Sequence, residues 1–148
     1  MGSKTFIILK PDALERGLVD KVMQRFLDAG FCIEHIHYRI ADKALIINHY
    51  KDVIVREGPA FIGWLEKNFV GKPTLPMVLT HNDDNGIEIA RNLLGDRRPE
   101  KALKGTIRGD YGIPVLDPLI PAMNLVHASD SLYSFNKEKN LWFQDPID

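Results

Sequence analysis

The chain lacks most of the features that assign a protein at a glance. Its 148 residues hold one cysteine, Cys32, so no disulfide forms within it. A single thiol fits a reducing compartment, most simply the cytoplasm. No apolar run approaches the ~20 residues of a membrane span. The initial Met-Gly-Ser-Lys-Thr-Phe stretch has no apolar secretory segment, and Phe6 stands where a myristoylation signal needs Ser or Thr. Charge of one sign is not in excess. The 19 Lys and Arg against 20 Asp and Glu argue against a basic nucleic-acid-binding module. Repeats, low-complexity tracts and long linkers are missing, as are GxGxxG, HExxH and CxxC motifs. Gly58 and Gly63 have the first P-loop spacing, but Trp64 follows where Lys is required. The five histidines (His35, His37, His49, His81 and His127) give no pair with metal-ligand spacing, so no zinc held by the protein is expected.

What is present is a core. A 45% hydrophobic content and this length suit one compact domain over residues 1–148. Thr5–Leu9 is β-branched and aromatic and predicts a buried strand. After Gly17, Leu18, Val22, Phe26 and Leu27 follow a helical period, which Gly30 ends as a C-terminal cap. Cys32, Ile36, Tyr38 and Ile40 are expected on one face of a second strand, with Cys32 a buried structural thiol. Asp42 caps a helix to about Tyr50, and Phe61–Phe69 forms another. Thr74–Thr80 is a third strand, which Pro76 marks as irregular or at an edge. Gly86–Leu94 is helical. Pro114, Pro118 and Pro121 place a long ordered loop over 111–123. Leu125–His127 is a fourth strand and Ser131–Lys139 a last helix, followed by an apolar anchor at Leu141, Trp142 and Phe143. A ferredoxin-like split βαβ sandwich accommodates this order. It is an α+β fold with a four-stranded antiparallel sheet and helices packed on it.

Two stretches suggest an anion site. In Lys104-Gly-Thr-Ile-Arg108-Gly-Asp110 an arginine lies between two glycines, offering a planar fork for phosphate where backbone approaches a ligand closely. In Asn124-Leu-Val-His127-Ala-Ser129-Asp130-Ser131 a histidine ends a strand just before a helix start, whose N–H groups suit an anion. From composition alone, His127 also reads as a structural hydrogen-bonder, Ser129 to Ser131 as caps, and Arg108 as a solvated loop charge.

The combination is more specific than its parts. The chain resembles a nucleoside diphosphate kinase from about residue 4 to residue 143, through TFIILKPDALERGLV at 5–19, GTIRGDYG at 105–112, NLVHASDS at 124–131 and LWF at 141–143. The resemblance implies transfer of the γ-phosphoryl group of a nucleoside triphosphate, typically ATP, to a nucleoside diphosphate. It implies a ping-pong route through a phosphohistidine at His127, with Mg²⁺ carried on the nucleotide phosphates and no metal held directly by the protein. By matching position, Glu138 orients the histidine ring, Ser129 lies beside that pair, and Tyr50 packs and positions. Lys10 reaches phosphates and ribose, Arg91 and Arg108 bind phosphate, and Asn124 holds the ribose hydroxyl. Homo-oligomers, hexamers or tetramers, are also implied. Val115, Leu116, Leu119 and Ile120 of the long loop are expected at an interface.

Departures from the family pattern are few. Ala60-Phe61 replaces a Phe-Phe pair whose first ring stacks on the base, so the platform moves to Phe61 or Trp64 or weakens. Residues are inserted between Tyr50 and Pro59 and again between Arg108 and Asn124. Arg97 replaces a phosphate-contacting threonine, and HASDS replaces HGSDS. Two other readings stand beside the kinase. One is a nucleotide-binding regulatory or scaffold protein of the same fold with weak or no catalysis. The other is an interaction module using the apolar loop 113–121.

Overall fold

The computed structural model describes residues 2–117 and 121–143. Four strands form an antiparallel sheet: β1 (Ser3–Leu9), β2 (Cys32–Ile36), β4 (Pro73–His81) and β5 (Val126–Ala128), in the spatial order β2-β4-β1-β5. A two-residue strand, β3 (Arg39–Ile40), pairs with the start of β4. The two central strands, β1 and β4, are each the first strand of a β-α-β unit. One unit crosses to β2 through α1 (Pro11–Glu15) and α2 (Val19–Asp28), the other to β5 by way of α6 (Gly86–Leu94). This is the split βαβ order that the sequence predicts.

Both faces of the sheet are covered, which explains why TFIIL is apolar without alternation. Ile7, Leu9, Met77 and Leu79 pack with Val22 and Phe26 of α2 and with Ala90 and Leu94 of α6. Phe6, Ile8 and Val78 face the other way. They meet α3 (Lys43–His49), α5 (Ala60–Asn68) and α8 (Leu132–Trp142) through Ile46, Leu65, Phe135 and Trp142. Short α4 (Lys51–Glu57) joins α3 to α5, and α7 (Ile107–Tyr111) follows a 3-10 turn at Pro99–Lys101.

The caps behave as their chemistry demands. Asp42 accepts from the Leu45 N–H at 2.8 Å. Gly30, at φ +96°, ends α2, and the Gly30 and Phe31 N–H groups reach back to Leu27 and Phe26, as a Schellman motif requires.

Two expectations fail, and of the two readings of Pro76 the edge is excluded. The second strand is not continuous, because a register shift between Ile33 and His35 breaks its alternation and the chain leaves the sheet before β3. Cys32 is exposed rather than buried, because β2 is the outer strand of the sheet. Pro76 lies in central β4, not at an edge. Its carbonyl accepts from the His37 N–H, so its ring nitrogen faces the same side, where β2 has already ended at Ile36 and no ladder bond is lost. Of the long loop, Leu116 is 89% exposed, while Pro118, Leu119 and Ile120 lie outside the described residues.

Candidate active site

The site is built where β5 meets α8. Pairing of β5 with β1 buries Val126 and Ala128 on one face and turns His127 to the other. α8 opens on Ser131, whose hydroxyl accepts from the Ser134 N–H. Its helical spacing stacks Phe135, Glu138 and Trp142 on one side. Phe135 and Trp142 are buried, and this anchors Glu138 between them. The Glu138 carboxylate then meets His127 Nε2 at 2.9 Å and accepts from the Ser129 hydroxyl at 2.5 Å. A carboxylate can only accept, so His127 carries its proton on Nε2 and keeps the lone pair on Nδ1. Burial holds the imidazole pKa below its usual value. Glu138 acts the other way, and the Lys10 and Arg108 charges add to the lowering. The ring is neutral at neutral pH and nucleophilic at Nδ1.

The backbone leading to this ring is strained. Leu125 has φ +73°, and the Val126 N–H bonds to the Asn124 carbonyl across it, a γ-turn. Asp12 of α1 holds it by accepting from the Leu125 N–H at 3.1 Å, while the Lys10 N–H donates to the Leu125 carbonyl. Asp12 is buried for that purpose.

Cations surround the histidine. Arg108, in α7, donates to the carbonyls of Val126 (2.6 Å), Gly95 (3.2 Å) and Asn124 (3.3 Å). Burial, then the Arg91 charge, lowers it to about 10, and it stays charged at neutral pH. Exposed Arg91 donates to the Ala128 carbonyl. Lys10 Nζ donates to Asn124 Oδ1 at 2.7 Å, and the Asn124 amide donates to the Arg97 carbonyl. Burial and the Arg108 charge push Lys10 down to about 8, against the pull of Asp12. An anion placed among these groups would restore their preference for the charged form. Gly109 serves a purpose other than the one expected. A Cβ there would lie 2.1 Å from the Leu103 carbonyl oxygen, so its bareness permits close packing within the protein rather than ligand approach.

These groups line a cavity of about 720 Å³ with Tyr50, Phe61, Trp64 and Ala60 on its outer side. Phe61 and Trp64, one helical turn apart, lie nearly parallel with centroids at 5.8 Å, and Tyr50 meets Phe61 edge-on. Burial raises the Tyr50 phenol well above its usual range. Ser129 and Glu138 stand behind His127 rather than in the cavity wall. Sequence reasoning missed Asp12, Arg56, Arg98 and Lys101, and also His49, whose one cue was its place beside Tyr50. Arg98 pairs with Glu100 at 3.0 Å and ties the long loop through the Val115 carbonyl.

Ligand atoms of His49, His127 and Glu138 lie within 4.8 Å of one another, a grouping able to hold a metal. Their hydrogen bonds already engage them. His49 Nδ1 accepts from the Trp142 indole N–H, and Glu138 accepts from His127 and Ser129. Among the described residues, the only carboxylates lining the cavity are Glu57 and Asp130.

The family described as "Nucleoside diphosphate kinase" matches residues 3–147. A nucleoside diphosphate kinase of Drosophila yakuba is 38% identical over 142 residues, 96% of this chain and 87% of that protein. One from Streptococcus pneumoniae is 38% identical over 95% of this chain and 98% of its own length. Among solved structures, a transition-state mimic of the Borrelia burgdorferi nucleoside-diphosphate kinase with bound vanadate and ADP superposes with a TM-score of 0.87. It has 31% identity and covers 97% of this chain and 88% of that one.

Proposed function

Since the chain belongs to the nucleoside diphosphate kinase family, and so moves phosphoryl groups between nucleoside tri- and diphosphates, we propose that His127 is the residue that carries the group. The observation behind this reading is the Glu138–His127–Ser129 arrangement beside a cation-lined cavity. In the first half-reaction the Nδ1 lone pair attacks the γ-phosphorus. The bond from that phosphorus to the bridging oxygen breaks, its electron pair leaves on the nucleoside diphosphate, and Nε2–H stays donated to Glu138. In the second half-reaction a terminal oxygen of the incoming diphosphate attacks the same phosphorus, and the N–P bond breaks. Lys10, Arg91 and Arg108 stabilise the charge spread over the transferring oxygens, which is most of what phosphoryl transfer asks of a protein. Arg97 stands where it adds to this charge. Asn124, held by Lys10, is the ribose contact, and Tyr50 sets the wall that Phe61 and Trp64 continue towards the base.

A divalent cation fits this site as part of the substrate. The cavity wall is cationic, and its two carboxylates leave the phosphate oxygens as the main ligands. Mg²⁺ carried on the nucleotide would supply further positive charge against the phosphate oxygens. We also read the protein as a cytoplasmic homo-oligomer, hexamer or tetramer, in which exposed Leu116 is covered. A monomer in solution scattering would contradict the assembly.

Incubation with γ-labelled ATP and Mg²⁺ tests the central reading. Wild-type protein should take up acid-labile, base-stable phosphate and release it to GDP, and His127→Ala should take up none. Wild-type protein that never labels would leave a regulatory or scaffold role on the same fold.

A further inference from the structure

His49 belongs to none of the roles above, yet it touches the nucleophile. Its ring stands at 84° to that of His127 with centroids 4.6 Å apart, and it also meets Tyr50 and Trp142 edge-on. Trp142 donates its indole N–H to His49 Nδ1 at 3.0 Å. Trp142 is itself fixed, since it is fully buried, the Arg39 guanidinium lies over its ring, and Arg39 donates to its carbonyl. An indole N–H only donates, so Nδ1 must hold the lone pair and the His49 proton sits on Nε2.

We propose that His49 is a positioning residue for the nucleophile: locked in one tautomer by Trp142, it walls the His127 imidazole into the orientation in which Nε2 meets Glu138 and Nδ1 stays free. This rests on the reading of His127 as the phosphoryl carrier. One helix then sets the histidine twice, directly through Glu138 and at one remove through Trp142. The groups charging the surroundings of His49 agree with a neutral wall. Burial first, then His127, Lys10 and Lys137, hold its pKa well below the usual value. A cation there would oppose the positive charge His127 gains when Nδ1 is phosphorylated.

The test is a set of three variants, Trp142→Phe, His49→Asn and the double, with direct ADP binding, single-turnover labelling by ATP and ¹⁵N-histidine NMR. In wild type the NMR should show His49 and His127 each as the Nε2–H tautomer. Trp142→Phe keeps an aromatic ring there but removes the donor. It should mix the tautomers of both histidines and slow labelling about ten-fold or more, with the ADP Kd within about two-fold. Because Trp142 acts through His49, the double variant should be no slower than His49→Asn alone. The inference is overturned if wild-type His49 is the Nδ1–H tautomer. It is equally overturned if Trp142→Phe labels at the wild-type rate with the His127 tautomer unchanged, or if the two losses multiply. The tautomer measurement on wild type stands even where a variant fails to fold. Failure of wild type itself to label would instead strike the reading of His127.

Discussion

The two sides of the cavity are made on different principles. On the inner side nearly every polar group is held by another: His127 by Glu138, Glu138 by Ser129, Lys10 by Asn124, Arg108 by three carbonyls. The outer side, with Ala60, Phe61 and Trp64, offers ring faces with few fixed geometries. Reacting atoms need placement to a fraction of an ångström, and a base needs only a surface to lie on. The contrast suits a protein whose inner side aims one phosphorus while its outer side offers a surface to the rest of the nucleotide.

Substitutions on the inner side should therefore cost most. We expect Arg108→Ala to lower stability by about 3 kcal/mol, because three buried carbonyls lose their charged donor, and to weaken nucleotide binding as well. Chemical denaturation and ADP titration measure the two separately. Glu138→Gln should slow labelling on the order of 10²-fold with ADP affinity intact. Equal loss of both in a titration would show that the inner side binds rather than aims. Acid should also act on the inner side. His127 and His49 both hold protons less readily folded than unfolded. Below the usual histidine value of 6.5 the unfolded chain takes up protons that the folded chain refuses. Stability is thus full above that pH and falls as pH drops towards the folded values. The urea midpoint should fall between pH 7 and 5, and less steeply in His49→Asn. The outer side should respond least. Trp64→Ala should weaken all nucleotides alike by about 1–2 kcal/mol. Ala60→Phe should tighten binding only if the Phe61–Trp64 pair leaves base surface uncovered, which a Kd comparison for ADP and GDP decides.

What could be read from residue order was mostly local. The apolar TFIIL run, the Asp42 and Gly30 caps and the Ser131 helix start declare themselves within a few residues, and so the split βαβ order followed. Arg108 and the Asn124–His127 stretch suggested an anion site on their own, whereas Glu138, Lys10 and Arg91 stood out only through family resemblance. The failures were long-range. Nothing near Cys32 shows that a register shift ends its alternation. Nothing near Pro76 shows that the neighbouring strand stops one residue short. Asp12 and Trp142 look like a helix-start acid and a core aromatic, because their partners lie 113 and 93 residues away.

Leu125 combines a left-handed backbone with a fully buried side chain, two residues before His127. Glycine would adopt that backbone freely but leave a hole in the core, about the cost of a large-to-small replacement. Valine or isoleucine would fill the hole but crowd a conformation that branched side chains tolerate poorly. Mutational tolerance at this position is accordingly squeezed from both directions, so a saturation library should retain only long apolar side chains unbranched at Cβ there, even when selected for folding alone.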